Sequence, residues 1–528
     1  MGIYINLGNN DRNRRYPLGI QTFSEIRDRD CLYVDKTGLI YQLTHEPSKY
    51  FFLSRPRRFG KSLLISTIAS YYEGRKDLFR GLAIETLETR WQVRPVLRFD
   101  FSGGKYYEVS LLHNQLNSDL LQYEKEYGIV DDGNDEGTRL LNLVQAVYKQ
   151  TGQKAVILVD EYDAPLLSTM NNPEEQQKLR QVTRNFMSPL KRLDPYIEFV
   201  LITGITKFSQ LSIFSELNNL NNISMQPKYA ALCGITEDEV RDNFSTGIAD
   251  MAEAYQTDTQ QMFSRIKRMY DGYHFCWPSP DIYNPFSLLY AFSTSKLDQW
   301  WYTSGTPTFL LDLMQRDGMS MPDIDPLHTD ATRFDQPAER TNDPVPVLYQ
   351  GGYLTIKGYD LQMDEYTLGI PNEEVRTGFG RSLIQYLAPN FTNGTDEFRR
   401  EFRHFAIYGD VERWVDSLRV FLAAVPYDLH GNDERSYQAL LYTMLCACGA
   451  DIRAEVKTSQ GRIDLLLVTD KMVVVMELKL NKSAQEAISQ IRNKRYDLPF
   501  QLDDKRLVKI GINISTETRT ISDYMIEE

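Results

Sequence analysis

In the first part of the chain, short apolar runs alternate with longer amphipathic segments, and this alternation constrains the fold more than any other feature. The apolar runs have strand length, and segments such as SLLISTIASYYEG and LLNLVQAVYKQTG have helical spacing and end at a glycine. Strands that alternate with helices form a parallel sheet with helices on both faces. The sequence therefore predicts an α/β fold, with strands at 49–54, 95–101, 154–160 and 198–205.

Length and pattern together predict three domains. The 528 residues suffice for three or four domains of about 150 residues, or for two larger ones. A helix-rich, aromatic stretch follows the alternating region; it contains a loop rich in proline and aspartate, and the strand-to-helix segment YTLGIPNEEVRTGFGRSL. The end of the chain returns to mixed elements, with helices at 436–448 and 482–493 and strands at 451–457, 462–469, 472–479 and 508–512. We expect domains at 1–217, 218–425 and 426–528.

Composition limits the classes of partner and compartment. The chain has 59 Lys and Arg against 72 Asp and Glu, a formal net charge of −13. This charge excludes a protein that coats nucleic acid through bulk positive charge, but it allows local basic patches. Five cysteines without a disulfide pattern, and the lack of a long apolar segment, predict a cytoplasmic protein with no membrane partner. The six histidines lack the spacing of zinc ligands.

The tripeptide Gly60-Lys61-Ser62 follows the first apolar run and begins a helical segment. A phosphate-binding loop needs converging backbone N–H groups, a lysine for the β- and γ-phosphates and a hydroxyl on Mg²⁺, and these residues supply them. Arg58 in the same loop is a further candidate nucleotide contact. Arg55 stands where the usual pattern has its first glycine. By itself the tripeptide also fits a chance surface sequence.

The run KAVILVDE places Asp160 and Glu161 at the end of a buried strand. At the carboxyl edge of a parallel sheet, Asp160 would join Ser62 in holding Mg²⁺, and Glu161 would polarise the attacking water. A solvated acidic turn is the alternative for these two residues alone. The order of GKS and DE along the chain is that of a P-loop ATPase, which favours the catalytic interpretation.

Further polar residues near this edge have less specific signals. Thr203, at the end of the next strand, is a candidate sensor of the γ-phosphate, although a capping hydroxyl fits equally well. Arg180, Arg184 and Lys207 are candidates for stabilising charge on the transferred phosphoryl group, with solvated surface positions as the alternative.

The stretch GRIDLLLVTDKMVVVMELKL predicts two apolar strands joined by a tight turn. Glu477 and Lys479 are two apart and so share one face, and a hairpin can bring Asp464 near them. Asp464 and Glu477 would hold Mg²⁺ and Lys479 would position the nucleophile, as in metal-dependent phosphodiesterases. Glu434 and Gln490 on the flanking helices are possible accessory residues. Read alone, ExK also fits charges on an edge strand.

Several blocks are together similar to the bacterial AAA-ATPase-like proteins that carry a C-terminal PD-(D/E)XK nuclease domain. These blocks cover nearly the whole chain and include YVDKT, RPRRFGKS, AVILVDEYDAPL, LITGITKFSQLSIFSELNNL and YDGYHF. The resemblance implies that Arg55 is a family variant of the phosphate loop and that Asp35 and Lys36 lie near the nucleotide. It also implies catalytic roles for Asp464, Glu477 and Lys479, although Ile463 replaces the proline of the name-giving motif.

We therefore predict an ATP- and Mg²⁺-dependent ATPase with a nucleotide-controlled nuclease domain acting on DNA or, less favoured, RNA, in defence against foreign DNA or in repair. A homo-oligomer would be consistent with this class. The alternative is a nucleotide-dependent switch that binds nucleic acid or a protein, with a weak or inactive nuclease domain. We expect a solvated acidic end, IEE, and nucleic-acid contacts at the basic residues Arg492, Lys494, Arg495, Lys505, Arg506 and Lys509.

Overall fold

The structure is a computed structural model, and it describes most of the chain. The described residues are 15–130, 133–207, 219–302, 308–337, 343–389, 391, 394–427, 429, 431–502 and 504–528. Within these ranges, no helix combines the length and the apolar character needed to cross a membrane.

The chain divides into two compact units. The first unit comprises 1–301 and 328–372, and the second comprises 302–327 and 373–528. The predicted middle region, 218–425, is thus distributed over both units. The predicted boundary between 217 and 218 touches residues outside the described ranges, and the three-domain division stays a prediction.

The first unit is built on a parallel sheet with the strand order β2-β3-β4-β1-β5. Its strands are β1 (Tyr50–Ser54), β2 (Val96–Asp100), β3 (Ala155–Asp160), β4 (Ile197–Gly204) and β5 (Asn221–Asn222). All six residues of β3 are buried, as expected for a strand covered on both faces. The four strands predicted in this part of the chain are confirmed.

Helices cover this sheet and extend beyond it. They are α1 (Phe23–Asp28), α2 (Thr37–Thr44), α3 (Lys61–Tyr72), α4 (Ala83–Leu87), α5 (Val109–Glu126), α6 (Glu136–Thr151), α7 (Ala164–Leu167), α8 (Pro173–Met187), α9 (Glu237–Asn243), α10 (Ser245–Ala254), α11 (Thr259–Tyr270) and α12 (Pro285–Thr294). Leu116 of α5, Leu143 of α6 and Phe186 of α8 join the core above Ile157 of β3. A second core lies among α9 to α12, where Met251 and Ile266 are fully buried.

Two small antiparallel sheets complete the first unit. They use β6 (Ile235–Thr236), β7 (Ile282–Tyr283), β8 (Leu327–Thr329), β9 (Thr355–Asp360) and β10 (Glu365–Gly369). The interval from Met321 to Val345, predicted as a loop, contains β8 and a short helix. The apolar side chain of Phe334, at the end of that helix, is fully buried and holds the segment against the core. The helices α14 (Ala331–Phe334) and α15 (Val345–Gly351) also belong to the first unit, whereas α13 (Thr308–Asp317) belongs to the second.

The second unit contains a mixed sheet with the order β11-β12-β13-β14-β15. Its strands are β11 (Asp451–Thr458), β12 (Gly461–Val468), β13 (Met472–Leu480), β14 (Arg506–Ser515) and β15 (Thr520–Glu527), and its later helices are α16 (Glu373–Leu387), α17 (Gly394–Tyr408), α18 (Val411–Ala424), α19 (Glu434–Ala447) and α20 (Ala484–Asn493). The predicted helices and strands of this region are confirmed within a few residues. Sequence analysis missed β15, whose sequence TISDYMIE is largely polar and half-exposed.

Candidate active sites

The phosphate loop connects β1 to α3. Gly60 has φ +94°, a conformation that favours glycine, and no atom lies within 4 Å of the position that a Cβ would take. This open space lies at the N-terminus of a twelve-residue helix. The buried Lys61 ammonium donates to the loop carbonyls of Arg55 and Pro56 at 3.1 and 3.2 Å. Ser62 follows in the first turn and is half-buried.

The acidic residues lie at the carboxyl ends of the neighbouring strands. Parallel pairing aligns Leu53 of β1 with Thr203 of β4, and Val159 of β3 with Ile202 of β4. The sheet thus carries Asp160 and Glu161 toward the phosphate loop. Burial raises the pKa of Glu161, and the nearby Lys61 charge opposes this rise. The structure therefore brings GKS and DE together.

Thr203 supports Asp160 in this arrangement. Its fully buried hydroxyl donates a hydrogen bond to Asp160 Oδ1 at 2.5 Å and accepts one from the Glu161 amide at 3.4 Å. Its predicted contact with the γ-phosphate stays a prediction. Asp163, which sequence analysis missed, is fully buried and accepts from the amide and hydroxyl of Thr206 at 2.7 and 2.8 Å. The sequence DEYD places this second aspartate three residues after Asp160, and that proximity is the signal that could have identified it.

Arg55 anchors the loop through its side chain. Its guanidinium is 1% exposed, donates to the carbonyls of Ser224 and Tyr229 at 2.8 and 3.2 Å, and lies 4.0 Å from the centre of the Phe275 ring. Burial lowers its pKa, and the hydrogen bonds and ring offset part of that cost. The positive φ values of the loop fall at Arg58 and Gly60, so position 55 does not need a glycine. The exposed Arg58 lies 5.0 Å over the Phe286 ring.

Asp35 and Lys36 have protein partners, and their predicted place near the nucleotide stays a prediction. Asp35 accepts from the Thr37 amide at 2.8 Å and from the Ala83 amide at 2.7 Å, so it joins the beginnings of α2 and α4. The Lys36 ammonium donates to both carboxylate oxygens of Glu239 at 2.7 and 2.6 Å. These bonds show that the block YVDKT stabilises the starts of α2 and α4 and binds Glu239 of α9.

The candidate charge-stabilising residues differ in their surroundings. Lys207 is 6% exposed and forms an ion pair with Asp335, so it is held inside the first unit. Burial lowers the pKa of Lys207, against the charge of Asp335. Arg180 and Arg184 are half-buried on α8, where Arg180 donates to Gln176 at 3.3 Å.

The second candidate site lies where β12 and β13 separate. Their antiparallel pairing ends at Leu465 and Met476, and Asp464 and Glu477 are the next residues on the two strands. Asp464 Oδ2 accepts from the Leu478 amide at 2.7 Å. The Lys479 ammonium donates to Glu477 Oε1 at 2.9 Å. The structure therefore assembles the predicted D…ExK group.

The two buried carboxylates of this group have one neighbouring cation, Lys479, and their pKa values are raised. Burial raises the pKa of Asp464 to about 6. Burial and then the charge of Asp464 raise the pKa of Glu477 to about 7. Burial acts to lower the pKa of Lys479, but the hydrogen bond to Glu477 and the negative charges of Glu477, Glu434 and Asp464 together outweigh burial, and the pKa is raised. Perturbed carboxylates of this kind are typical of functional sites.

The accessory candidates are placed differently. Glu434, at the start of α19, has Oε2 at 3.7 Å from the Lys479 ammonium. Gln490 lies half-buried on α20, and within the described ranges no hydrogen bond joins its side chain to the acidic pair. Sequence analysis missed Gln438, which donates to the Asp464 carbonyl at 2.7 Å and to Glu455 at 3.0 Å. Gln438 lies one helical turn beyond Glu434, which is the signal that could have identified it.

The acidic end of the chain forms ion pairs, and its last residue, Glu528, is also exposed as predicted. Glu527 forms ion pairs with Arg492 and with Lys509, whose ammonium lies 3.7 Å from Oε2, and Glu528 pairs with Arg506. Three of the six basic residues predicted to contact nucleic acid are thus paired with the chain end. Lys494 and Arg495 are exposed.

Both sites fit the groups that their residues imply. At the second site, Glu477 Oε2 is buried and has no hydrogen-bond partner among the described residues, and the available ligand atoms are carboxylate oxygens, which suit Mg²⁺. At the first site, Gly60 leaves room for a phosphate group at a helix N-terminus. The Lys61 ammonium binds the loop carbonyls of Arg55 and Pro56, and it could bind phosphate oxygens in their place.

In comparisons with known proteins, the two candidate sites lie in matches to two different families. A family described as Predicted AAA-ATPase (AAA-ATPase_like) matches residues 17–214, and the PD-(D/E)XK nuclease superfamily (PDDEXK_9) matches 432–524. The structure of the Aeropyrum pernix ORC2 protein (ADPNP–ADP complexes) aligns with 63% of this chain and 86% of its own at 10% identity, but its TM-score of 0.18 supports no argument.

A protein named "Uncharacterized protein in vnfD 5'region", from Azotobacter chroococcum mcd 1, is 32% identical over 530 residues. The match spans 97% of this chain and 99% of that protein. The chain belongs to the family of this Azotobacter protein, with an AAA-ATPase-like domain followed by a domain of the PD-(D/E)XK nuclease superfamily.

Proposed function

We propose that the protein hydrolyses ATP and uses the nucleotide state to control a Mg²⁺-dependent nuclease that acts on DNA in preference to RNA. The observation that carries the nuclease proposal is the buried Glu477 Oε2, which has no hydrogen-bond partner in the part of the chain that the structure describes. The neighbouring Asp464 has a raised pKa, which also indicates a shortage of positive charge at this site. An acidic oxygen in that condition is costly unless a cation binds it.

At the nucleotide site, each side chain has a distinct task. The α3 N-terminus and Lys61 would bind the phosphates, Ser62 and Asp160 would hold Mg²⁺, and Glu161 would orient the attacking water. The Mg²⁺ would neutralise charge on the phosphates. Thr203 keeps the Asp160 carboxylate in place through its 2.5 Å hydrogen bond.

At the nuclease site, Asp464 and Glu477 would hold the metal, which would activate water and stabilise charge on phosphorus. The Leu478 amide fixes the Asp464 carboxylate through its 2.7 Å hydrogen bond. Lys479 is held by Glu477 at 2.9 Å and would neutralise the developing charge. A role in defence against foreign DNA or in repair, and assembly as a homo-oligomer, are parts of the same proposal and follow from the domain combination.

The test incubates supercoiled plasmid, linear duplex, single-stranded DNA and RNA with the protein, with and without ATP and Mg²⁺. We expect Glu477→Gln to lower cleavage at least about a hundredfold, since it removes a metal ligand while keeping the side-chain size. Lys61→Ala should abolish ATP hydrolysis and the effect of ATP on cleavage. Glu412→Gln and Lys149→Ala, both at exposed positions, serve as matched controls.

Each activity can fail separately. Cleavage that survives Glu477→Gln unchanged overturns the nuclease assignment, and ATP turnover that survives Lys61→Ala overturns the phosphate-loop assignment. A wild-type protein that hydrolyses ATP and binds DNA without cutting it would instead support the nucleotide-dependent switch.

A further inference from the structure

Three carboxylates in the first unit meet at a place remote in sequence from both candidate active sites. Glu237 begins α9, Asp271 follows α11, and Asp281 directly precedes β7. One oxygen of each lies within 4.8 Å of the other two. Neither the P-loop nor the ExK group includes these residues.

Asp271 is the group that needs a partner. Its side chain is 2% exposed, and within the described structure neither carboxylate oxygen has a hydrogen bond of good geometry; the nearby Gly272 amide and the Lys267 charge favour the ionised form but do not offset the cost of burial. The Lys267 ammonium lies 3.7 Å away, beyond hydrogen-bond distance. Burial raises the pKa of Asp271 to about 7, so the ionised carboxylate is disfavoured in these surroundings. A carboxylate kept buried in this way is explained if a cation binds it.

The charges that face the cluster do not satisfy all three acids. Lys267 lies 2.5 Å from Glu237 Oε2 and 3.1 Å from Asp281 Oδ2, and Arg241 donates to Glu237 Oε1 at 2.7 Å. Lys267 thus binds both outer carboxylates closely, Arg241 binds Glu237 alone, and Asp271 has the weakest pairing of the three, with Lys267 at 3.7 Å.

His274 orients the third carboxylate from outside the cluster. Its Nε2 lies 2.7 Å from Asp281 Oδ1, and its Nδ1 lies 2.8 Å from the Ile356 carbonyl. Carboxylates that bind metals are commonly held in orientation by a hydrogen bond of this kind. The second oxygen of Asp281 is the one directed to Lys267.

We propose that Glu237, Asp271 and Asp281 bind a divalent cation of the Mg²⁺, Mn²⁺ or Ca²⁺ class, which takes the place of the Lys267 ammonium. Three carboxylates are hard oxygen ligands, and oxygens within 4.8 Å of one another can share one ion at metal–oxygen distances of about 2.1–2.4 Å. The ion would bring two positive charges where lysine brings one, and it would bind Asp271 directly.

The site lies in the segment that supports the phosphate loop. Tyr273 and Phe275, just after Asp271, pack on Phe59 with ring centres 4.8 and 5.4 Å away, and Phe275 also lies under Arg55. A cation at the cluster would therefore fix the segment against which the phosphate loop rests.

The test measures Mn²⁺ binding by calorimetry and electron paramagnetic resonance, without nucleotide, in the full-length Asp160→Asn/Asp464→Asn/Glu477→Gln variant. This background removes the carboxylate ligands proposed at the other two sites, so the result does not depend on the proposed function. We expect one bound Mn²⁺, and we expect Asp281→Asn to weaken it at least about tenfold. Asp281 is half-exposed, so this change spares the core.

Lys267→Met provides the sharper comparison, because removal of a competing ammonium should tighten Mn²⁺ binding. Its matched control is Lys178→Met, which removes a lysine that pairs with Glu174 and Glu175 on α8 and should leave the affinity unchanged. Thermal melting confirms folding of each variant, and Mn²⁺ should raise the melting temperature of the background but not of its Asp281→Asn derivative. Absence of binding, binding insensitive to Asp281→Asn, or loss of binding in Lys267→Met overturns the proposal.

Discussion

At the candidate nuclease site, the two carboxylates Asp464 and Glu477 lower the stability of the folded protein when they are ionised. Their pKa values are raised to about 6 and about 7, so the folded protein binds their protons more tightly than the unfolded chain does. Stability from these groups is therefore full below their ordinary pKa values and is lost as the pH rises through about 4 to 7. Retention of charges that weaken the fold is expected of a site that binds a cation.

The prediction at this scale concerns Glu477→Gln in the absence of metal. The variant should unfold in urea with a free energy about 1–2 kcal/mol higher than wild type at pH 8, because it removes one of two repelling buried charges. The difference should shrink toward pH 4, where the wild-type carboxyl is neutral. Glu412→Gln should follow the wild-type curve. An unchanged pH dependence in Glu477→Gln would show that Glu477 carries no such strain.

At the scale of elements, β15 determines how much of the basic surface is accessible. Its end carries Glu527, which pairs with Arg492 of α20 and Lys509 of β14, and it leads into Glu528, which pairs with Arg506. An edge strand that ends in acids occupies cations that would otherwise be free for phosphate groups. The chain end thus competes with the proposed substrate.

We therefore expect Glu527→Gln/Glu528→Gln to tighten binding of a fluorescent DNA duplex about three- to tenfold at low salt, since it frees three cations. Fluorescence anisotropy in Ca²⁺ would measure binding without cleavage. Glu517→Gln/Asp523→Asn changes the net charge by the same amount at exposed positions near the same strand and should leave affinity almost unchanged. Equal effects of the two double variants would point to bulk charge instead of these ion pairs.

At the scale of the whole molecule, the net charge of −13 opposes broad contact with nucleic acid. The exposed Lys494 and Arg495 offer a local contact in the second unit. Binding through few contacts has a shallow salt dependence, because each phosphate contact contributes about −0.9 to the slope of log K against log salt.

Anisotropy titrations at several salt concentrations should give a slope of about −3 to −5, and Lys494→Ala/Arg495→Ala should reduce its magnitude by about 2. Lys125→Ala/Lys149→Ala removes two exposed lysines of the first unit and should leave the slope as it is. A wild-type slope near −10 would mean that a broad surface binds the nucleic acid.

The sequence by itself determined the fold class and the main candidate catalytic groups. Continuous apolar runs such as AVILVD form only buried strands, and the polar residues that follow them must lie at the sheet edge, so Lys61, Asp160 and Glu161 could be placed in advance. Period two along a strand likewise put Glu477 beside Lys479. These inferences rest on local periodicity, which is a property of consecutive residues.

Only the tertiary structure decided which distant groups pair. It showed that Arg55 binds the Ser224 carbonyl, that Lys36 pairs with Glu239, that Glu527 pairs with Arg492, and that Asp271 meets Glu237 and Asp281. The physical reason is that a buried or half-buried charge takes the partner that packing brings within a few ångströms, and sequence spacing does not contain that distance.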